Sequence, residues 1–368
     1  MKALLNLLRK LIAFVALSFL SLWAAMAILA YLGFLVPLFD ALNHFQPIWF
    51  FGLITLLVIS ILIARHSRLR TFFLSFGLVG LVLSSIPLLG EALRAHLAIS
   101  PRDSDRPTVL VMSHNLFGNN YNMHRVADQI AAYQPDILTF QEYFPEQSIR
   151  LHPLIAGDYP YFETCSGGRR ASIAIYSKLP FKRSPLSTCP ENLDEYDNQV
   201  SHLVAEFGGE DGTPNWTLVT THLNWPVQVS ALRRSDLGFW ERVDAMTARK
   251  QQEFSDLSAA LSKIDTPLML EGDFNSTPWS YDMNRFASSS DLTRETLNMP
   301  TFPALWYIRG WRDVLPFLPL DHVFTRGGAR AYSIETIAPA GSDHLGLLTE
   351  LSLPIPADAA ITVARASL

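Results

Sequence analysis

The first ninety residues consist mainly of long apolar runs separated by short polar loops. Residues 11–36 contain no charged side chain and are long enough to cross a hydrocarbon core of ~30 Å with some tilt. Residues 48–64 and 71–89 are two further apolar runs, each near the minimum spanning length. The pattern predicts a transmembrane region of three helices over residues 1–90. The alternatives are a buried hairpin for the two shorter runs and a cleaved signal peptide for the first. The first run continues well past its candidate cleavage site, which favours an uncleaved anchor.

Positively charged residues are distributed unevenly around these runs. Lys2, Arg9 and Lys10 precede the first run, residues 37–47 contain no Lys or Arg, and residues 65–70 contain three arginines. By the positive-inside rule, the N-terminus and the second loop are cytoplasmic. The first loop and everything after the third run are then extracytoplasmic. This is the topology of an integral protein of the bacterial inner membrane whose large domain faces the periplasm.

Beyond residue 106 the apolar runs become short and alternate with amphipathic segments. Residues 91–106 are polar and predict a linker. A strand over 108–112, a helix over 122–133 and a strand over 136–140 begin an alternating pattern. Further strands are expected at 171–176, 203–207, 216–221, the run that begins at Pro267, 321–324 and 345–351, with a long helix at about 230–263. The pattern predicts a catalytic α/β domain over 107–355 and a C-terminal tail over 356–368.

Polar residues follow several of these strands at the point where each strand ends. Residues 267–275 read Pro-Leu-Met-Leu-Glu-Gly-Asp-Phe-Asn, and Asp273 and Asn275 project to the same side of an extended chain because they are two positions apart. An acid beside a glycine after a strand is most often only a turn. The same arrangement recurs at Asn115, Glu142, His222, Asp321 and the stretch Ser342-Asp343-His344. This recurrence favours one shared site over several unrelated turns.

The side chains at these positions suit the hydrolysis of a phosphate ester with the help of a metal ion. Mg²⁺ prefers oxygen ligands from carboxylates, amides and water. His222 and His344 can carry protons or bind phosphate near neutral pH. No group of His or Cys residues has the spacing of a zinc site. Each residue alone is more commonly a cap or a surface group, so the prediction rests on their combination. The oxygen donors are Asn115, Glu142, Asp273, Asn275, Asp321 and Asp343.

Charge and cysteine content narrow the choice of substrate and compartment. The chain has a net charge of −5 and residues 1–100 carry +5, which leaves about −10 for the rest. An acidic domain argues against gripping long duplex nucleic acid, because such binding depends on phosphate neutralisation, and it leaves short or single-stranded substrates open. Cys165 and Cys189, the two cysteines, either form a disulfide in an oxidising compartment or remain two buried thiols.

The strand-end motifs resemble those of the endonuclease/exonuclease/phosphatase superfamily, which has the deoxyribonuclease I-like fold. The resemblance covers about residues 109–351. It implies an α/β (α+β) fold, a four-layer sandwich of two mixed β-sheets flanked by helices, preceded here by the three-helix transmembrane region. It also implies a phosphoesterase that depends on a divalent cation, Mg²⁺ or alternatively Mn²⁺. The motifs are Asn115, Gln141-Glu142, Thr221-His222-Leu223-Asn224, Gly272-Asp273-Phe274-Asn275, Leu320-Asp321-His322 and Ser342-Asp343-His344.

The resemblance also implies roles for individual residues. Glu142 corresponds to the principal Mg²⁺ ligand, with Asn115 nearby and Asp343 completing or flanking the metal site. Asp273 corresponds to the residue that aligns or deprotonates the attacking water, and Asn275 to one that holds a phosphate oxygen.

Two histidines take the remaining catalytic roles in this resemblance. His344, oriented by Asp321, contacts the phosphate or acts as a base, and His222 stabilises charge or protonates the leaving group. Which histidine is the acid and which is the base stays open. Asn224 is a further candidate substrate contact.

Two positions depart from the family pattern. His114 stands where an aromatic residue commonly precedes the asparagine, and Gly346 stands where a proline often follows the final histidine. Neither departure removes a functional group. Both lie at the walls of the predicted site and therefore bear on the substrate.

The sequence favours an enzyme that hydrolyses phosphodiester bonds in nucleic acids or nucleotides. The alternative substrates are phospholipid headgroups, as for a sphingomyelinase, or inositol phosphates, because a fold does not select among them and membrane attachment raises the concentration of headgroups. A further alternative is an inactive membrane-anchored scaffold. No obligate protein partner is expected. Several aromatic residues either line a substrate groove or simply pack: Trp225, Trp279, Trp306, Tyr307 and Trp311.

Overall fold

A computed structural model describes residues 2–64, 67–98, 106–166, 172–190, 201–208, 215–226, 237–304 and 315–354. The chain divides into two compact units, one of Met1–Ala98 with Thr277–Asn284, the other of Ile99–Ser276 with Arg285–Leu368. Several sequence predictions lie outside the described residues. They are the roles of Trp306, Tyr307 and Trp311, the beginning of the long helix near 230, and the tail over 356–368.

The first unit contains the three long apolar helices that the sequence predicts. They are α1 (Lys2–Tyr31), α3 (Gln46–Ile63) and α4 (Arg68–Leu97), and the short helix α2 (Pro37–Asp40) lies between the first two. Each of the three is long and apolar enough to cross a membrane. They pack on one another through buried residues that include Leu20, Ala24 and Leu53, whereas other large apolar residues such as Phe14, 69% exposed, face outward. An outward apolar surface of this kind suits contact with lipid.

The second unit is built on two six-stranded sheets. The first sheet has the order β11-β12-β1-β2-β4-β3 and the second has the order β5-β6-β7-β8-β10-β9. Each sheet is mixed, because β1–β2 and β7–β8 are parallel pairs and the other neighbours are antiparallel. The strands are β1 (Thr108–Asn115), β2 (Ile137–Gln141), β3 (Tyr161–Cys165), β4 (Ile173–Ser177), β5 (Phe181–Arg183), β6 (His202–Phe207), β7 (Trp216–His222), β8 (Leu268–Asp273), β9 (Thr293–Arg294), β10 (Asp321–Arg326), β11 (Arg330–Ile337) and β12 (Gly346–Ser352).

Helices cover the outer faces of both sheets. The helices in the described part of this region are α5 (Met123–Tyr133), α6 (Pro145–Ile155), α7 (Phe239–Leu261) and α8 (Tyr281–Ser289). One core cluster joins the facing sheets through residues such as Val111 and Leu218, and a second packs α5 and α6 against the first sheet. On α7, Phe254 is buried and contacts Phe286. The predicted four-layer sandwich of two mixed sheets flanked by helices is confirmed.

Among the described elements of the sandwich, four strands and two helices were not predicted from the sequence. Strands β3, β5 and β9 are short and lie at or next to sheet edges, and β11 is an edge strand whose residues are mostly exposed. Edge strands need no continuous apolar run, so their pattern is weak. Helix α6 contains Pro153 in its interior and begins at Pro145, and α8 has only nine residues. The apolar pattern of these two helices is therefore too short or too interrupted to predict a helix.

Strand pairing brings the polar strand ends to one edge of the sandwich. In the first sheet Asn115 is level with Gln141, because β1 and β2 run parallel. In the second sheet His222 is level with Asp273 on parallel β8, and Asp321 at the start of antiparallel β10 is also level with Asp273. A hydrogen bond from Asn115 to Asp273 joins the two sheets here, so the carboxyl ends of four strands and the beginning of a fifth meet at this edge.

Cys165 and Cys189 form a disulfide, so the first of the two alternatives for these cysteines is correct. The bond joins the end of β3 to the segment before β6 across 24 residues. We expect reduction to lower the free energy of unfolding by about 2–4 kcal/mol, because the unfolded chain gains freedom when the loop opens. Thermal unfolding of detergent-solubilised protein with and without reductant measures this. The double variant Cys165→Ser, Cys189→Ser should unfold at the same midpoint temperature as the reduced protein, and reductant should not change that midpoint. If reduction leaves the midpoint of the unchanged protein where it was, the expectation is wrong.

Candidate active site

Asp273 is the centre of the cluster at this edge. Its side chain is 1% exposed, and its Oδ2 atom accepts hydrogen bonds from Asn115 Nδ2 at 2.9 Å and Asn275 Nδ2 at 3.1 Å. The Nε2 atom of His222 lies 3.4 Å from the same oxygen, and that of His344 lies 3.8 Å from it. A buried carboxylate with this many donors is held in one orientation. Four predicted residues, from the ends of β1, β7 and β8 and from the segment before β12, therefore converge on one oxygen atom of Asp273.

His344 and Asp321 form a buried pair. The Nδ1 atom of His344 lies 2.7 Å from Asp321 Oδ2, so Nδ1–H donates to the carboxylate and Nε2 points toward Asp273. Burial lowers the pKa of His344, but the nearby carboxylates of Asp321 and Asp273 outweigh it and raise the pKa to about 10. Burial also raises the pKa of Asp321, against the opposing attraction of His344. Because its pKa is raised, His344 is a protonated imidazolium between two carboxylates at neutral pH.

Glu142 and Asp343 form the acidic side of the site. Glu142 directly follows β2 with a left-handed backbone (φ 54°), and its Oε2 atom accepts a hydrogen bond from the amide of Gly118 at 2.7 Å. Burial raises the pKa of Asp343 to about 6, and repulsion from Glu142 and Asp273 adds to the rise. A bound divalent cation would favour the ionised form of these acids, since it offsets both their burial and their mutual repulsion. The oxygen donor set therefore fits a hard divalent metal ion.

A second group of side chains also has the spacing for a metal ion. One ligand atom each from Asp273, Asp321 and His344 lies within 4.8 Å of the others. In this group His344 Nδ1 already donates to Asp321, and Asp273 already accepts from two asparagines. Burial and repulsion from Asp273 raise the pKa of Asp321, but hydrogen bonds within the protein already engage all three side chains of this group.

Asn275 follows β8 in a left-handed conformation (φ 47°). Its Nδ2 atom donates to Leu223 O at 2.8 Å and to Asp273 Oδ2, and its backbone amide donates to Asp273 Oδ1 at 2.8 Å. Within the described part of the chain, its buried Oδ1 atom has no hydrogen-bond partner. The preceding Gly272 has φ 137°, and a Cβ atom there would lie 2.1 Å from the backbone oxygen of Thr221 on β7. Only glycine allows β7 and β8 to approach at the level of the site.

Sequence reasoning missed two buried residues of α7 that hold the site loops. Lys250 Nζ donates to the carbonyl oxygens of Asn224, at 2.6 Å, and Phe274, at 2.9 Å, and so joins the loops after β7 and β8. Glu253 accepts from the backbone amide and the side-chain amide of Asn224. The side chain of Asn224, predicted as a substrate contact, is 2% exposed and engaged with Glu253. The sequence carried no signal for these two residues, because Lys and Glu are ordinary on a polar helix and only the tertiary structure buries them.

The two departures from the family pattern lie against each other. His114 is 1% exposed, and its Nε2 atom lies 3.3 Å from the backbone oxygen of His344. Burial lowers the pKa of His114 to about 4, so its neutral ring donates Nε2–H to that oxygen. A Cβ atom at Gly346 would lie 2.9 Å from Ile337 and 3.2 Å from the ring of His114. The ring of His114 therefore packs against position 346, where the glycine has no Cβ atom.

Aromatic residues flank His344 on one side. The rings of Phe302 and His344 have centroids 5.0 Å apart, and Trp225 contacts Phe302 with a centroid distance of 5.4 Å. Of the aromatic residues singled out in the sequence, Trp225 is thus beside the site. Trp279 is 8% exposed, as expected of a packed side chain.

A protein-family model described as the endonuclease/exonuclease/phosphatase family matches residues 112–344. No curated protein sequence is significantly similar to the chain.

The chain is also similar to solved structures of proteins with low sequence identity to it. An endonuclease/exonuclease/phosphatase from Beutenbergia cavernae DSM 12333 is 19% identical, with 68% of this chain and 73% of that chain covered and a TM-score of 0.48. The catalytic domain of human Nocturnin is 21% identical, with 67% and 95% covered and a TM-score of 0.44. A mannosyl-6-phosphatase from Bacteroides thetaiotaomicron VPI-5482 is 16% identical, with 66% and 99% covered and a TM-score of 0.44. At these identities the similarity concerns the fold alone.

Proposed function

The chain belongs to the endonuclease/exonuclease/phosphatase family, and we propose that it is a membrane-anchored hydrolase of phosphodiester bonds that depends on Mg²⁺ or Mn²⁺. The observation that supports this most directly is the convergence of Asn115, Asn275, His222 and His344 on Asp273 Oδ2, at the sheet edge that also bears the acids after β2 and before β12. A site made only for binding would not need so many buried titratable groups.

The metal ion would be held by Glu142 and Asp343, with Asn115 beside them. When bound, it would polarise the phosphate and neutralise charge that develops during hydrolysis. The raised pKa of Asp343 supports this assignment, because a cation there would stabilise the ionised carboxylate. We prefer this set to the group of Asp273, Asp321 and His344, whose polar atoms already satisfy one another.

The proton-transfer roles follow from the charges around Asp273. As a carboxylate that accepts from two asparagine amides and lies beside two imidazoles, Asp273 can orient an attacking water and take its proton. His344, held as an imidazolium by Asp321, supplies positive charge to a phosphate oxygen. His222, whose Nε2 atom lies 3.4 Å from Asp273 Oδ2, donates to the leaving group. Asn275, which donates to Asp273 Oδ2, is the residue that we assign to a phosphate oxygen.

Membrane anchoring with the catalytic domain on the periplasmic side is part of the proposal. Three apolar helices, the arginine-rich second loop and the disulfide between Cys165 and Cys189 support it, because disulfides persist in oxidising compartments. Lipid headgroups are the second candidate substrate class, favoured by the apolar outer surface of the three helices. The inactive scaffold is disfavoured because every acid, amide and histidine of the motifs is present.

Purified full-length protein in detergent provides the test. It would be offered bis-p-nitrophenyl phosphate, short single-stranded DNA, RNA and sphingomyelin, each with Mg²⁺, Mn²⁺ or EDTA. We expect metal-dependent hydrolysis that falls by about 10²–10³-fold in Glu142→Ala, since metal polarisation is worth several kcal/mol. Glu146→Ala, an exposed acid four residues later on α6, is the matched control and should keep its activity. Folded protein without turnover on all four substrates would count against the proposal, and the preferred substrate decides between the two classes.

A further inference from the structure

The loop between α1 and α3 contains a buried acid whose partners lie 240 residues later in the chain. Asp40 is 4% exposed, although it belongs to the apolar N-terminal region. Its carboxylate accepts hydrogen bonds from Ser280 Oγ at 2.7 Å and from the backbone amides of Tyr281 at 2.8 Å and Asp282 at 3.1 Å. All four residues belong to the first compact unit, which includes Thr277–Asn284. The acid therefore has a specific structural partner.

That partner is the beginning of helix α8. The first amides of a helix lack intrahelical acceptors, and a carboxylate at this end is favoured by the helix dipole. Ser280 Oγ accepts from the amide of Met283 at 3.2 Å, and Asp40 accepts from the hydroxyl of Ser280 and from the two amides between. Asp40 thus caps α8 from a distant part of the sequence.

Neighbouring side chains hold Asp40 in this orientation. Asn43 Nδ2 donates to Asp40 Oδ1 at 2.8 Å and to Ala30 O at 2.9 Å, and Gln46 Nε2 donates to Asn43 Oδ1 at 2.7 Å. Asn43 and Gln46 are 2% and 1% exposed. A buried polar network that is connected in this way is costly to place beside apolar helices unless it has a defined role.

Three more contacts hold the same segment. The amide of Thr277 donates to His44 Nδ1 at 3.0 Å, and Tyr281 Oη donates to Tyr31 O at 3.0 Å. The rings of Phe34 and Tyr281 are 5.9 Å apart. The loop over residues 31–46 thus contacts both ends of the short stretch over residues 277–282.

This stretch is continuous with the candidate active site. Thr277 follows Asn275 by two residues, and Asn275 has the left-handed backbone on which its contacts with Asp273 depend. Between them, Ser276 O accepts a hydrogen bond from His322 Nε2 at 2.8 Å. Because Ser276 alone separates the two residues, a shift of the Thr277 backbone would also change the backbone conformation of Asn275.

We infer that Asp40 and His44 are positioning residues for the active site, and that the loop between the first two long helices sets the conformation of Asn275 through the segment over residues 277–282. The N-terminal region is then part of the working enzyme as well as its anchor. The catalytic consequence rests on the proposed function, whereas the conformational consequence does not.

The test compares Asp40→Asn and Asp40→Ala with the unchanged full-length protein. Hydrogen exchange is measured in two sets of backbone amides, those of residues 277–283 and those of residues 274–276, together with kcat and KM for bis-p-nitrophenyl phosphate. We expect exchange to accelerate at least about fivefold in both sets, as loss of a helix cap predicts. We also expect kcat to fall about tenfold with KM little changed, because Asn275 acts in the transition state.

Glu241→Gln is the matched control. Glu241 Oε2 accepts from the amide of Gly238 at 2.8 Å at the beginning of α7, so this variant removes a carboxylate cap of the same chemistry elsewhere in the chain. It should leave exchange at 274–283 and kcat unchanged. Faster exchange at 277–283 alone, with amides 274–276 and kcat unaffected, would overturn the inference. If the unchanged protein hydrolyses no substrate, the proposed function fails, while exchange at 274–276 still decides whether the loop positions Asn275.

Discussion

Replacing Asp273 with Asn should lower turnover by about 10²–10⁴-fold while the protein remains folded. The amide is the same size and its oxygen can still accept one hydrogen bond, but it cannot take a proton from water, and general base catalysis is worth this factor. Its NH₂ group would also face the donors Asn115 Nδ2 and His222 Nε2. Steady-state hydrolysis with saturating Mg²⁺ measures the effect, and circular dichroism reports folding. Turnover within tenfold of the unchanged protein would remove Asp273 from the role of base.

Glu271→Gln is the matched control for this variant. Glu271 lies two residues earlier on β8, is fully buried, and accepts a hydrogen bond from Thr139 Oγ1 at 2.6 Å. Burial raises the pKa of Glu271 to about 8, so a neutral amide there replaces a carboxyl that is mostly protonated at neutral pH. We expect turnover to change by less than about threefold. A comparable loss in both variants would indicate damage to β8 and not the removal of a base.

Gly272→Ala should lower the free energy of unfolding by more than about 3 kcal/mol. The backbone at Gly272 has φ 137°, a conformation that residues with a side chain rarely adopt, and the new Cβ would lie 2.1 Å from Thr221 O. Strain of this kind costs about 1–3 kcal/mol, and separation of two central strands adds to it. Because domains are stable by only about 5–15 kcal/mol, the variant should be partly unfolded at 37 °C. Denaturant unfolding of the detergent-solubilised protein measures the change.

Gly157→Ala separates the effect of the close approach from that of losing a glycine. No atom lies within 4 Å of the position that its Cβ would take, and its φ is not in the left-handed region. This variant should be as stable as the unchanged protein or slightly more stable, since alanine restricts the unfolded chain. Equal destabilisation at both positions would mean that the contact with Thr221 does not matter.

The polar residues of the site could be found in the sequence because each one follows or begins a strand with a clear apolar run. Asp273 and His222 end the two central strands of the second sheet, which are fully buried and rich in apolar and β-prone residues. The edge strand β11 was missed, since its side chains are mostly exposed. Lys250 was also missed, because nothing along α7 indicates that one lysine of this polar helix turns inward.

Local sequence determined the three apolar helices, the alternation of strands and helices, and the identity of the chemical groups at the strand ends, since hydrophobic periodicity and side-chain chemistry are short-range properties. The tertiary structure decided which of those groups meet. Pairing of β7 with β8 and of β8 with β10 placed His222 and Asp321 level with Asp273. It also decided that Asp40 caps α8, across 240 residues. Both results depend on contacts between distant segments, which are selected by packing and hydrogen bonding of the whole chain and leave no periodic signal in any one segment.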